Sequence, residues 1–441
     1  MGLAGRSAAL AMLLLCAPAV ASASPAASDP PAEATAAPAA TLDQLGAARD
    51  AAGYLSDARV AKGELDGALD PLLDEVDLSR RLAAADPSER AQRGLMHSLN
   101  RLAWLLSALS DLRGAQAAYD EEVGLAQRLA ATDPKSARAA VDVAATLEGR
   151  GDVLMSEGDL SSAAKDYAQA LAFDRKAALV DPTSAEAQRD VALALQRVGD
   201  VLAAQDDKAG AVAAYQDALE RFVRLAASGS GGEARDLAMQ QGRVGERLLA
   251  VGDPGAARAA FEASVSALRA AAIADPSSAG AAHDLELQLN RLSYALRLGG
   301  GDPTAAMAPA EEALAIARRL AAADPASPSA QADLVFALGR YGDLRLIQHD
   351  NAGARDADVE ALGIEKALAR SRPEAVLPAR SVGELMAKLA DIPGGGVTWA
   401  QVVAYAERMQ ARGLFRADDA RMLAAYRLRA ADAAATPGSV R

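Results

Sequence analysis

One cysteine, three histidines and an aromatic content of 3% leave this 441-residue chain little reactive chemistry. A lone Cys16 forms no intrachain disulfide and builds no thiolate metal site. His97, His283 and His349 are far apart in sequence and none belongs to a His-Glu-x-x-His metal pattern. Ser230 sits among glycines, but no strand-like run precedes it, so it makes no nucleophile elbow. Gly299-Gly300-Gly301 lacks the Lys-Ser/Thr of a phosphate loop. Catalytic, cofactor-binding and metal-binding residues are therefore expected to be none. Basic residues are outnumbered, 46 to 59, for a formal charge of −13. That balance, with so few aromatics, disfavours nucleic acid and anionic lipid as partners.

Long apolar runs are scarce too. The clearest extends from Ala8 to Ala17 behind Arg6, is broken by Pro18, and is followed by Ala19, Ala21 and Ala23. It is short for a membrane span but fits a secretory signal with small residues at the cut. We expect residues 1–23 to be a signal peptide cleaved near Ala21 or Ala23, and the mature chain to be periplasmic or secreted without membrane insertion. A lipoprotein signal would want a small residue where Leu15 precedes Cys16; an uncleaved anchor is the other alternative. Residues 24–40, with Pro25, Pro30, Pro31 and Pro38, read as a disordered linker.

What the chain has in abundance is alanine, and a period. Asp111, Asp159, Asp207, Asp253, Asp302 and Asp350 recur about every 48 residues. Each is followed four residues later by Ala115, Ala163, Ala211, Ala257, Ala306 or Ala354. A fixed period of this size marks stacked supersecondary units. In the fourth unit Val191, Leu195, Val198 and Leu202 form one helical stripe. A turn at Asp206-Asp207 leads to a second helix with Ala211, Tyr215, Ala218, Leu219 and Phe222. That helix, from Ala209 to Ala227, would be ~28 Å long at 1.5 Å per residue. Asp-Pro pairs at Asp86, Asp133, Asp181, Asp275 and Asp324 separate the hairpins. There Asp is expected to cap the next helix, with Pro in its first turn. Gly229-Ser230-Gly231-Gly232 takes that place once, and Arg372-Pro373 closes the series. Seven units result, at about 41–87, 88–134, 135–182, 183–230, 231–276, 277–325 and 326–373.

These positions resemble the tetratricopeptide repeat (TPR) family, in which small and large residues alternate at set spacings of a helical hairpin. The matching residues are Leu195, Val198, Gly199, Leu202, Ala211, Tyr215 and Ala218 in the fourth unit. In the third they are Leu147, Gly151, Leu154, Ala163, Tyr167 and Ala170, and the fifth keeps Gly245, Leu248, Ala257 and Phe261. The second puts Ala103 at the Gly position; later, Ser293 replaces Gly and Asp358 replaces the aromatic. The resemblance covers residues 41–373 and implies an all-α, right-handed αα-hairpin solenoid. Units of 48 rather than the family's 34 residues should alter its groove.

Three charged rows run through the first helices. One is Asp142, Asp190, Asp236, Asp284, Asp333; the second is Arg101, Arg197, Arg243, Arg291, Arg340. The third is Asp152, Asp200, Glu246, Asp343, with Trp104 and Tyr294 in the other units. The resemblance implies inter-repeat polar contacts for the Arg row and a groove-facing position for the third, where an acidic stripe would prefer a basic peptide. Either row could instead be packing or a solvated face.

After Pro373 the period stops. Residues 374–432 are expected to form a helical cap, including a Thr398/Gln401 capping box, and 433–441 a disordered tail. Trp399 is either cap core or a docking anchor. The expected function is a non-catalytic scaffold in the cell envelope binding a protein or peptide through the concave face. The alternatives are a structural subunit of an envelope complex or homo-oligomer and, remotely, a hydrolase with an unmarked cleft. Oligomeric state is not legible.

Overall fold

The computed structural model describes residues 41–229, 232–299, 303–414 and 419–435. The expected signal and linker, with Asp302, Ser230 and Gly231, lie outside the described residues. So do Gly300, Gly301 and residues 436–441.

Among the described residues there are seventeen α-helices and no strand. Fourteen pair into seven hairpins. The first two are α1 (Leu42–Val60) with α2 (Leu65–Ala85), and α3 (Glu89–Ala108) with α4 (Leu112–Thr132). Then come α5 (Ala137–Glu157) with α6 (Leu160–Val180), and α7 (Ala185–Ala204) with α8 (Lys208–Ser228). They continue as α9 (Gly232–Ala250) with α10 (Pro254–Ala274), and α11 (Ala279–Leu298) with α12 (Met307–Ala323) behind a 3₁₀ turn at Pro303–Ala306. The last is α13 (Pro328–Ile347) with α14 (Asn351–Ser371). Three further helices follow: α15 (Val376–Asp391), α16 (Trp399–Ala411) and α17 (Asp419–Ala435). The last helix thus continues through Ala435, three residues into the expected tail. The chain divides into two compact units, one through Ala218 and one from Leu219.

The repeating aspartates cap the second helices. Asp111, Asp159, Asp253 and Asp350 accept the backbone N–H three residues on at 2.9–3.1 Å, and Asp207 does the same to Gly210 at 2.9 Å. The alanine four residues after each cap is where the two helices of a hairpin approach. Ala68, Ala115, Ala163, Ala211, Ala257, Ala306 and Ala354 are all 0% exposed. A larger side chain there would overpack the joint.

The Asp-Pro pairs act differently from the expectation. Their aspartates end the second helices and accept the N–H two residues on at 3.0–3.2 Å. The cap of the next helix is a serine: Ser88, Ser136, Ser184, Ser278 or Ser327, each accepting the N–H three residues on at 3.1–3.3 Å. Pro therefore stands in the turn ahead of the helix. Its lack of an N–H is harmless there, and the short serine hydroxyl reaches the orphan donor that proline's neighbour had been expected to satisfy.

The glycine–aromatic pairs are knobs and holes. A Cβ on Gly151 would stand 2.5 Å from the Tyr167 ring, and one on Gly245 2.7 Å from the Phe261 ring. Gly199 is pressed the same way by Tyr215. Where the pattern departs, a compensation is present. Tyr119 leans on the following hairpin, where a Cβ at Gly149 would meet its ring at 2.6 Å, so Ala103 is tolerated. Ser56 and Ser293, at the glycine position of hairpins 1 and 6, donate to the carbonyls of Ala68 and Ala306 at 3.2 and 2.8 Å. Asp358, at the aromatic position of hairpin 7, is fully buried and accepts from Lys388 of α15 at 2.9 Å.

In the final helices Val402, Ala406, Leu423 and Tyr426 form a small core. Trp399 stacks on Tyr426 with centroids 5.7 Å apart and donates to Asp391 at 3.3 Å. Trp399 is thereby engaged within its own core.

Candidate functional site

The first-helix face carries the charged rows, and the fold merges two of them. Arg197 reaches back from α7 to Asp152 at 3.4 Å and Glu148 at 3.4 Å, both in α5. Arg291 of α11 pairs with Glu246 of α9. Arg101 of α3 pairs with Glu75 at 2.5 Å and with Asp57 of α1. Arg340 of α13 has an aromatic partner instead: its guanidinium lies 4.6 Å from the Tyr294 centroid and 5.0 Å from that of Phe336. After Asp343 the cation is Lys388, at 2.8 Å. The arginine of one hairpin thus bridges to the third-row residue of the hairpin before it. Asp57 is the first hairpin's member of that row, hidden in sequence by the weakness of the first unit. Arg243 is exposed in α9.

The third row is therefore a series of paired charges. Asp152 also accepts from the Tyr167 hydroxyl at 2.7 Å, and Asp200 from Tyr215 at 2.8 Å. Three carboxylates of the row, Asp152, Glu246 and Asp343, are thus held against a cation from a later helix.

At Trp104 the exchange is broken. Trp104 occupies the third row in α3, and the residue one unit before Arg197 is Gly149. Arg150, next to it, turns instead to Asp166 at 2.7 Å and Asp120 at 2.8 Å. Trp104 is left 52% exposed. Phe336, absent from the sequence expectation, is 49% exposed beside Arg340, while Tyr294 is half-buried between Arg297 and Arg340. Each compact unit thus presents an exposed aromatic on a first helix, and unit one carries a second, Tyr54 of α1, at 76% exposed.

The first row also pairs backwards. Arg93 meets Asp142, Arg235 meets Asp284 at 2.5 Å, and His283 Nδ1 lies 3.3 Å from Asp333. Asp190 is pushed above the usual carboxylate range by burial and by Glu186, while Asp236 is exposed.

Beneath the rows lie buried carboxylates that sequence reasoning missed. Burial pushes Glu122 up to about 7, against hydrogen bonds from Asn100 and Thr146. Glu148 and Asp174 also rise to about 7; burial dominates both, Arg197 opposes it, and each is raised further by neighbouring carboxylates. Burial and then Asp333 push Glu286 up to about 8. In unit two a cleft of about 440 Å³ is lined by Glu311, Arg318, Tyr341, Arg345, Asp350 and Glu360. Its charges are internally paired, Arg318 with Glu360 at 2.5 Å and Arg345 with Asp350 at 3.2 Å.

Helical hairpins with a small residue facing an aromatic, stacked through polar contacts between first helices, are the architecture that the resemblance implied. The fold is TPR-like. No family model matches the chain, and no curated protein matches it. Among solved structures it is similar to BtubC from P. vanneervenii, at 21% identity and TM-score 0.44, over 60% of this chain and 93% of that one. It is similar to the C-terminal part of a TPR repeat-containing protein from Cytophaga hutchinsonii, at 14% identity and TM-score 0.43, over 72% and 95%. A third is a signal transduction ATPase with a tetratricopeptide repeat sensor from Pyrococcus horikoshii, at 14% identity and TM-score 0.45, over 72% of this chain and 42% of that one. These likenesses are distant, and the fold assignment rests on the chain's own hairpins.

Proposed function

We propose that this chain is a non-catalytic, exported scaffold that binds a protein or peptide through the first-helix faces of its hairpins. The observation that carries the reading is a half-exposed aromatic on a first helix of each unit, Trp104 in one and Phe336 in the other, each among charged side chains that have partners within their own unit. Large aromatics are costly to leave in water and supply most of the energy at binding surfaces. Fixed charge pairs around them supply orientation rather than affinity. The partner this arrangement favours carries an apolar anchor flanked by both charge signs. Export rests on the leader pattern of residues 1–23. Among the described residues no helix is long and apolar enough to cross a membrane.

The test is capture from an envelope extract with the intact chain, W104A, F336A and I273A, the last removing an exposed side chain elsewhere. A specific partner retained by I273A and weakened at least about tenfold by W104A or F336A would support the reading. A defined homo-oligomer with no captured partner would favour a structural subunit and overturn it.

A further inference from the structure

Three side chains of unit two converge where the first row changes its chemistry. In two other rungs the cation reaching the next hairpin's aspartate is arginine: Arg93 to Asp142 and Arg235 to Asp284. At the joint of α11 and α13 the cation position is taken by His283, with Nδ1 3.3 Å from Asp333. An imidazole is a ligand as well as a base. One turn on, Glu286 places a carboxylate oxygen 3.9 Å from the same nitrogen.

Glu286 is the second departure, independent of the first. Its counterparts in the first helices of hairpins 2, 3, 4, 5 and 7 are the apolar Met96, Ala144, Ala192, Ala238 and Val335, while hairpin 1 has Arg49. Here a carboxylate only 2% exposed stands at that position, facing a second carboxylate, Asp333. A buried carboxylate facing a second one is costly to ionise unless a cation joins them. The Asn290 amide, itself buried, donates to one Glu286 oxygen and leaves the other toward His283. That is the outer hydrogen bond that orients a metal-binding carboxylate.

We propose that His283, Glu286 and Asp333 form a divalent-cation site of the zinc class, clipping α11 to α13. Their ligand atoms all lie within 4.8 Å of one another. At metal–ligand bonds of about 2.0–2.1 Å, tetrahedral ligands stand about 3.3 Å apart, so small rotations of exposed side chains close the site. One imidazole and two carboxylates suit Zn²⁺, Co²⁺ or Mn²⁺; Mg²⁺ prefers oxygen alone. His283 is 46% and Asp333 33% exposed, so water has access to complete the shell. The site replaces an arginine rung with a metal-dependent one.

The experiment is calorimetric titration of the intact chain with zinc chloride, and visible absorption with cobalt chloride, beside H283Q, E286Q, D333N, H97Q and H349Q. One equivalent should bind to the wild type, with cobalt bands of a low-symmetry site. H283Q, E286Q and D333N should each weaken binding at least about tenfold, given that even outer-shell losses cost 10–100-fold. H97Q and H349Q should bind as wild type. E286Q keeps the volume and removes the buried charge, so loss of metal from a chain of unchanged circular dichroism isolates ligation from folding. No zinc uptake at micromolar concentration, or uptake retained by both H283Q and D333N, would overturn the proposal and leave His283 as an ordinary polar neighbour of Asp333.

Discussion

Gly151→Ala adds one methyl group to α5 and should destabilise the chain, although alanine is the better helix former. The exchange gains up to about 1 kcal/mol of helix propensity. Against that, the new Cβ would stand 2.5 Å from Tyr167 Cε1, 2.9 Å from Cδ1 and 3.0 Å from Cζ. The ring is 3% exposed and has no free volume to enter. It must retreat by nearly 1 Å, which costs about 1–3 kcal/mol as overpacking. That retreat also pulls the hydroxyl from Asp152, now at 2.7 Å, forfeiting a charge-assisted bond worth about 1.5–3 kcal/mol. With the full propensity gain set against them, the net loss is about 1.5–5 kcal/mol. Gly245→Ala, against Phe261 with no hydroxyl, should lose less, and Gly363→Ala, with nothing within 4 Å, should gain the propensity term. Urea unfolding followed by far-ultraviolet circular dichroism measures all three, with an unchanged slope as the check on cooperativity. A second-site Tyr167→Leu should return the overpacking part of the Gly151→Ala loss but not the bond to Asp152. If Gly151→Ala is as stable as Gly363→Ala, the knob-and-hole account of the hairpin is wrong.

Three further outcomes follow from the buried charges and the turns. Glu122, Glu148 and Asp174 have folded-state pKa values of about 7, above their unfolded values, so the native state holds extra protons between roughly pH 4.5 and 7. Stability should therefore fall as pH rises through that window, and Glu122→Gln should gain about 1–3 kcal/mol at pH 8 with no gain at pH 5, read from urea midpoints. Lys388→Met leaves Asp358 buried without its cation and should cost about 3 kcal/mol at pH 8, less in acid where the carboxyl protonates; adding Asp358→Asn should recover most of it in thermal melts. Gly158→Ala, at a φ of 84° in the turn between α5 and α6, should lose about 1 kcal/mol in the same melts.

The seven hairpins were legible because each rests on contacts within one repeat: an aspartate cap, an alanine four residues on, a glycine facing an aromatic. Those contacts recur at fixed offsets, so a period of 48 displays them. Serine capping was missed because proline is the louder signal, though Ser88, Ser136, Ser184, Ser278 and Ser327 were periodic as well. The rows were seen, and inter-repeat contacts were expected of the arginines, but the partner of each charge was not legible. Whether a carboxylate faces solvent or a cation depends on the residue one repeat later, 45 positions on for both Asp152 with Arg197 and Glu246 with Arg291. That offset is shorter than the repeat by three, close to one helical turn, because the long arginine side chain reaches obliquely to the preceding helix. Once the offset is known, the exceptions become informative. Trp104 has Gly149 where its arginine would be, and Tyr294 has Arg340 stacked on its ring. Glu286 has no such periodic partner, and its burial could be seen only when the hairpins were folded. Rungs that repeat are therefore the part of this surface that holds neighbouring hairpins in register. The broken rungs, at Trp104 and at His283 with Glu286, are the positions on which the proposed partner surface and the proposed cation site rest.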